Sequence, residues 1–212
     1  MLNIEEMENS KTPRGHVNLV GVGRLGIRIG INLIQVHRGG PSKITAYDNQ
    51  KISPSDVIFK MLGGEFGDYK VDFLSSLCTH PQDLRRVVCV REDLTPENLD
   101  LLEGDVVSVQ IAGGDTISTT AEIIKKAHQI GAKTISTAGV FGIGEEDIQV
   151  MEISKADEDN PIVRLLKEQG IIKNHRIITT GRFIEDEIPI TPYVLDDYAN
   201  LMTREILKML IS

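Results

Sequence analysis

Val17-Asn18-Leu19-Val20-Gly21-Val22-Gly23-Arg24-Leu25-Gly26 is the stretch that decides the fold. An apolar run breaks into a Gly-x-Gly-x-x-Gly turn. A helical pattern follows, and a second apolar run ends in Asp48, 22 residues beyond Gly26. This order reads as a strand, a glycine turn, a helix and a second strand with a carboxylate at its tip. Gly21 permits the tight turn, Gly23 lets a phosphate approach the backbone, and Gly26 allows close helix packing. Phosphate then rests on N–H groups at the helix start, beside Arg24 and Leu25. Asp48, with Asn49 next to it, is placed to accept the ribose hydroxyls. The reading is an adenine nucleotide site, and NAD and ATP both satisfy it.

Outward from this core the pattern keeps alternating. The first helix is expected to run to about His37, where Gly39-Gly40-Pro41 ends it. Strands are expected at Lys43–Tyr47, Arg85–Val90, Asp105–Ile111 and Lys133–Thr137. Between them lie short helices at Pro54–Leu62, Tyr69–Leu77 and Thr95–Leu102, and a longer one at Thr116–Ile130. Strands alternating with helices imply a doubly wound, mainly parallel α/β sheet of the Rossmann-like kind. After Gly144 the pattern changes. Asp147–Ile153 alternates like a half-exposed strand, Ile162–Glu168 is helical, and Arg176–Thr180 and Phe183–Pro189 are extended. Tyr193–Ile211 closes as a helix. The expectation is one domain over 1–212: a polar arm (1–14), the Rossmann-like core (15–145), then C-terminal antiparallel or extended strands and the closing helix (146–212).

Composition excludes several classes. With 41% hydrophobic and 25% charged residues the chain can bury a real core. A net charge of −8 argues against a nucleic-acid partner or an anionic membrane surface, which need clustered cations. No apolar run reaches membrane-spanning length and the first ten residues carry three Glu without an apolar core, so a cytoplasmic protein is expected. Cys78 and Cys89 form no CxxC pair and read as small core hydrophobes. His16, His37, His80, His128 and His175 have no ligand spacing. Glu185-Asp186-Glu187 reads as a solvated face.

These motifs, in this order, resemble the E1-like adenylating family, over residues 16 to 153. Gly21, Gly23 and Gly26 correspond to its glycine turn, and Asp48 to its ribose-binding Asp. Ile52-Ser53-Pro54-Ser55-Asp56 matches its Ser-rich segment, Lys70 its lysine, Asp115 in Gly113-Gly114-Asp115 its second Asp, and Ile135-Ser136-Thr137-Ala138-Gly139 its strand-five turn. The resemblance implies ATP and Mg as cofactors. Lys70 then faces the departing phosphates with Arg24 assisting, and Asp115 holds the metal. A carboxylic acid lies near Ser136, Thr137 and the loop Gly139–Gly144. It also implies a homodimer, with Arg14 as the residue of the arm that could reach a partner's site. The apolar faces of the first and closing helices fit such a dimer, and equally a buried monomer core.

Departures narrow the reading. The family's Asn is Asp56, and its Arg falls at Phe59 with Lys60 adjacent. No zinc-binding CxxC pair is present, and no cysteine stands where the thioester nucleophile belongs. Adenylation of a carboxylate is therefore favoured over sulfur or ubiquitin-like transfer, with an external thiol acceptor to capture the adenylate. A compact, zinc-free member resembles the branch that activates guanylylpyridinol in [Fe]-hydrogenase cofactor biosynthesis. Two other readings remain: an NAD-dependent oxidoreductase, and a non-catalytic E1-like subunit. For single residues, Lys70 could be a solvated lysine at a helix start, Asp115 a helix N-cap, and Arg24 the partner of a surface acid. Arg176, Arg182 and Tyr193 could line a substrate pocket or a dimer interface.

Overall fold

A computed structural model describes residues 3–4, 12–79, 84–111, 114–180 and 188–212. Seven strands form one sheet in the order β3-β2-β1-β4-β5-β7-β6. They are β1 (His16–Val20), β2 (Lys43–Tyr47), β3 (Arg86–Val90), β4 (Val106–Val109), β5 (Lys133–Thr137), β6 (Gln149–Glu152) and β7 (His175–Thr179). Among the described residues six α-helices accompany them: α1 (Arg24–Ile34), α2 (Val57–Met61), α3 (Lys70–Ser76), α4 (Ile117–Gln129), α5 (Pro161–Glu168) and α6 (Pro192–Ile211).

The sheet is doubly wound, as expected, because strand side chains alternate between faces. Val17, Leu19, Ile44, Ala46, Val106 and Ile135 pack under α1, α3 and α6. Val20, Tyr47, Val107 and Val109 pack against Ile123 and Ala127 of α4, on the other face. Ile124 of α4 meets Val163 and Leu166 of α5 beyond them.

Several boundaries differ from expectation. The first helix stops at Ile34 rather than near His37. There Arg85 donates to the carbonyls of Ile34 (3.3 Å), Val36 (2.5 Å) and Gly39 (2.6 Å), drawing the chain out of helical geometry. Thr95–Leu102 holds only a 3₁₀ turn at Leu99–Leu101, because Asn98, tied by its side chain to the Thr95 N–H at 2.8 Å and the Asp93 carbonyl at 2.9 Å, sits at φ −124, outside helical geometry. Of the C-terminal strands only β6 is antiparallel. β7 inserts between β5 and β6 and runs parallel to β5, Thr134 opposite His175 and Ser136 opposite Ile177. Arg182, Glu185-Asp186-Glu187, His80, Gly113 and most of the expected arm and of Phe183–Pro189 lie outside the described residues.

The apolar faces of α1 and α6 bury each other. Leu25, Ile29 and Leu33 share one core with Val194, Tyr198, Met202 and Ile206. Arg28 pairs with Asp196 at 2.5 Å, and Asn32 with Asn200 at 3.2 Å. These faces therefore belong to the monomer core and lend no support to a dimer.

Candidate active site

The glycine turn lies at the carboxyl end of β1, where doubly wound sheets bind ligands. Gly21 has φ +92, a left-handed conformation, and its N–H donates to the Tyr47 carbonyl at 2.9 Å. A Cβ on Gly26 would fall 2.0 Å from the Gly21 carbonyl oxygen, so the turn folds directly onto its own helix. A Cβ on Gly23 would meet nothing within 4 Å, so space remains over that peptide. The first turn of α1 has no side-chain cap and no acidic residue, which leaves its N–H groups to an anion.

Asp48 braces the turn. One carboxylate oxygen accepts the Val22 N–H and the other the Gln50 N–H, each at 2.7 Å. Burial pushes its carboxyl above the usual range, opposed by those two N–H groups and by nearby Lys70. The Asn49 N–H donates to Asp93 at 3.1 Å.

Lys70 is not a solvated lysine. It is only 5% exposed. Its ammonium donates to Gln50 Oε1 at 2.9 Å and lies 3.3 Å from Asp56. Asp56 also accepts the Ser53 N–H (2.8 Å) and hydroxyl (2.7 Å). Burial alone would raise the Asp56 carboxyl, but the Ser53 donors and Lys70 together hold it below the usual range. Phe59, at the family's Arg position, is fully buried against Phe73. Lys60 points away, its ammonium on the Pro54 carbonyl at 2.8 Å. Asp48, Gln50, Lys70 and Asp56 thus form one connected polar group beside the turn.

A cavity of about 530 Å³ opens against Gly23, Arg24 and Leu25 and runs under the ends of β4 and β5. Ser136, Thr137 and Gly139 line it, where a substrate site was expected. Its remaining walls are chiefly apolar: Val109, Ile111, Ile117, Val140, Ile162, Leu165, Ile190 and Leu195. The sequence reading missed the contribution of α5. Its Asn160 N-cap and the apolar spacing Ile162, Leu165, Leu166 were visible, but not the cavity they face. Gln110 was also missed: its Oε1 is a buried acceptor without a partner at the cavity wall. The loop 139–144 is fixed by Tyr198, whose hydroxyl donates to the Gly139 carbonyl at 2.9 Å, and by Glu146, which accepts the N–H groups of Ile143 and Gly144.

The structure separates other candidates. The Arg24 guanidinium reaches the Ser55 carbonyl at 3.5 Å while lining the cavity. Asp115 is exposed in the 3₁₀ turn Gly114–Thr116 after β4. It does not cap α4, whose N-cap position is Thr116. Tyr193 is exposed beside Gly144. Arg176 pairs with Glu205 and lines a second cavity, near the start of β5. Among the described residues no cluster of three or more His, Cys, Asp or Glu could hold a metal ion.

His175 is fully buried next to Ser136 and Thr134. Desolvation, and secondarily His128, push its imidazole down to about 3 from 6.5. The native state therefore cannot take the proton that the unfolded state binds below 6.5. This contribution to stability is fully present above pH 6.5 and is lost as pH falls from 6.5 toward 3, at about 1.4 kcal/mol per pH unit. Urea melts of wild type should lose about 2 kcal/mol more than His175→Gln between pH 7 and pH 5. Parallel losses in the two proteins would contradict a neutral buried imidazole.

No family model matches the chain. The uncharacterized protein MJ0693 of Methanocaldococcus jannaschii is 44% identical over 211 residues, covering 100% of this chain and 83% of that one. The structure of HcgE from Methanothermobacter marburgensis, with guanylylpyridinol and ATP bound, is 51% identical over 95% of this chain and 97% of that one, with a TM-score of 0.91. The E. coli tRNA N6-threonylcarbamoyladenosine dehydratase TcdA, in complex with ATP, shares the fold at 18% identity, over 93% of this chain and 86% of that one, with a TM-score of 0.78. The glycine turn, its acidic brace and the buried lysine thus lie on a backbone shared with ATP-bound proteins, and this chain belongs to the HcgE family.

Proposed function

We propose that this protein adenylylates the carboxylate of guanylylpyridinol, using ATP and releasing pyrophosphate. The observation that carries the reading is the apolar cavity that adjoins the glycine turn. It is large enough for an aromatic acid and would bring its carboxylate next to the nucleotide phosphates. The likeness to HcgE, solved with both molecules bound, supports the choice of substrate.

In this reaction a carboxylate oxygen attacks the α-phosphorus, and the bond to the bridging oxygen of pyrophosphate breaks. The protein positions the reactants and stabilises the charge that shifts onto the leaving group. The N–H groups opening α1 would hold the α-phosphate and Asp48 the ribose. Lys70, aimed by Asp56 and Gln50, would meet the leaving phosphates, with Arg24 beside them. Asp115 suits magnesium, because that ion leans on one or two carboxylates plus phosphate oxygens and water rather than a cage of side chains. When bound, magnesium neutralises phosphate charge.

The reading extends to a homodimer, supported by the exposed apolar side chains Val57, Met61, Leu62 and Phe66 on the α2 segment. It also includes a separate thiol acceptor. Cys89 does not suit that role: burial first, and Asp72 second, raise its thiol. Among the described residues no helix is long and apolar enough to cross a membrane, in keeping with a cytoplasmic setting.

Exchange of labelled pyrophosphate into ATP tests the proposal. Exchange should require guanylylpyridinol, and Asp115→Asn should lower its rate on the order of 100-fold at saturating ATP. Exchange that is absent with guanylylpyridinol, while ATP still binds, would remove that substrate from the reading.

A further inference from the structure

One chain of polar groups, buried at its Ser136–His175–Thr134 end, has no part in the chemistry above. Ser136 Oγ lies 2.9 Å from His175 Nε2. His175 Nδ1 lies 2.8 Å from Thr134 Oγ1. Thr134 Oγ1 lies 3.1 Å from His128 Nε2, which is also 3.0 Å from the Asn174 carbonyl. Ser136, at one end, lines the substrate cavity, while Thr134, His128 and Asn174 line the second cavity of about 400 Å³. Ser136 and Thr134 fall on the same side of β5, two residues apart, and His175 of β7 bridges them.

The proton positions follow from one fixed point. A carbonyl oxygen only accepts, so the contact to Asn174 requires the hydrogen of His128 to be on Nε2. That N–H also faces Thr134 Oγ1, making the hydroxyl an acceptor there. Thr134 has one proton of its own. The nearer acceptor for it is His175 Nδ1 at 2.8 Å, against 3.3 Å to the Asn174 carbonyl. His175 then carries its hydrogen on Nε2 and donates it to Ser136 Oγ. Desolvation keeps the ring neutral, so one tautomer holds rather than a doubly protonated ring. With its lone pair engaged from behind, Ser136 turns its own O–H toward the cavity.

We propose that His175 is a positioning residue that fixes the Ser136 hydroxyl as a hydrogen-bond donor to the carboxylate of the acid held in the cavity. Ser136 is thereby a substrate-recognition residue, and Thr134 and His128 set the tautomer from behind. The arrangement selects an anionic acceptor: an amide or ester in the same place would forgo a charge-assisted bond. It rests on the reading of the cavity as a carboxylate site.

The test uses the full chain. In long-range proton–nitrogen spectra of nitrogen-15-labelled protein, the His175 signals are assigned by their loss in His175→Gln. They should show hydrogen on Nε2 and an unprotonated Nδ1. Guanylylpyridinol binding is then measured by calorimetry with and without a non-hydrolysable ATP analogue. Ser136→Ala and His175→Leu should each weaken it on the order of 10-fold or more, with ATP affinity unchanged. His175→Gln retains a donor near the Nε2 position and should restore most of the affinity. The double variant Ser136→Ala with His175→Leu should be no weaker than Ser136→Ala alone, since both act through one hydroxyl.

A merely structural histidine would give losses in His175→Leu that add to those of Ser136→Ala and extend to ATP. That result, an Nδ1–H tautomer, or unchanged binding in Ser136→Ala would overturn the proposal. Failure of wild type to bind guanylylpyridinol would sink the proposed substrate and, unless another pyridinol carboxylate shows the same Ser136 dependence, this inference with it. The tautomer itself is read without any ligand, so a wrong substrate and a wrong proton arrangement are told apart.

Discussion

Gly26→Ala is expected to abolish measurable ATP binding. The added methyl would lie 2.0 Å from the Gly21 carbonyl oxygen, well inside van der Waals contact. The obstacle is backbone, and that backbone has nowhere to go. Gly21 is held by its N–H on Tyr47, and a Cβ built on it would already stand 3.1 Å from the Gln110 peptide. Relief therefore requires α1 to move off the turn, which opens the core it shares with α6. A stability loss of about 3 kcal/mol is expected, at the upper end for overpacking a tight site. Gly23→Ala is the control. Its φ of −72 suits any residue and its Cβ would stand in open space, so urea midpoints should stay near wild type. Its ATP affinity should still fall, because the methyl stands where the phosphate approaches. Calorimetric titration of both variants, beside their melts, distinguishes a broken turn from an obstructed one. ATP binding by Gly26→Ala at wild-type strength would end the assignment of this turn to the nucleotide.

Lys70→Ala should lower kcat for pyrophosphate exchange by roughly 10²–10³, the usual cost of removing one preorganised group from a site of developing charge. The fold should survive, because Asp56 keeps both donors of Ser53 after the ammonium is gone. Asp56→Asn should be milder, since the amide oxygen can still accept from Lys70 while the charge pairing is lost. Such a graded pair of losses, with KM for ATP moving less than kcat, would mark Lys70 as acting on the leaving phosphates. A Lys70→Ala protein with full activity would return the lysine to a structural role.

Much of this arrangement was legible in the chain. Alternating strands and helices, the glycine spacing and Asp48 gave the strand–turn–helix at the carboxyl end of β1 and β2 nearly to the residue, because local geometry imposes them. Lys43–Tyr47 and Lys133–Thr137 were read with the bounds the structure has. The state of Lys70 was not legible. Helix-start lysines are ordinarily solvated, and only the three-dimensional approach of Gln50 and Asp56 buries this one. The placement of β7 escaped for a similar reason: strand polarity depends on the crossover through α5, not on the composition of His175–Thr179. The Thr95 helix failed because Asn98, tied through its side chain to Thr95 and Asp93, holds a non-helical backbone. The histidines showed no ligand spacing; in the fold His175 lies between the hydroxyls of Ser136 and Thr134. Its pairing with Ser136 joins positions 39 apart in sequence and has no local signal.

The packing of α1 against α6 also bears on how the molecule comes into being. Arg28 and Asp196, which join these helices, are 168 positions apart. A ribosome therefore finishes the nucleotide turn and its helix long before the residues that cover that helix emerge. In the interval Leu25, Ile29 and Leu33 lack the helix that later covers them, and the nascent chain presents a sticky ridge. Contacts of such long sequence separation also form slowly, since a large loop must close before they reward it. Catalytic competence thus arrives late in synthesis, all at once, and chains released before residue 192 would be expected to collect with chaperones rather than as half-active enzyme.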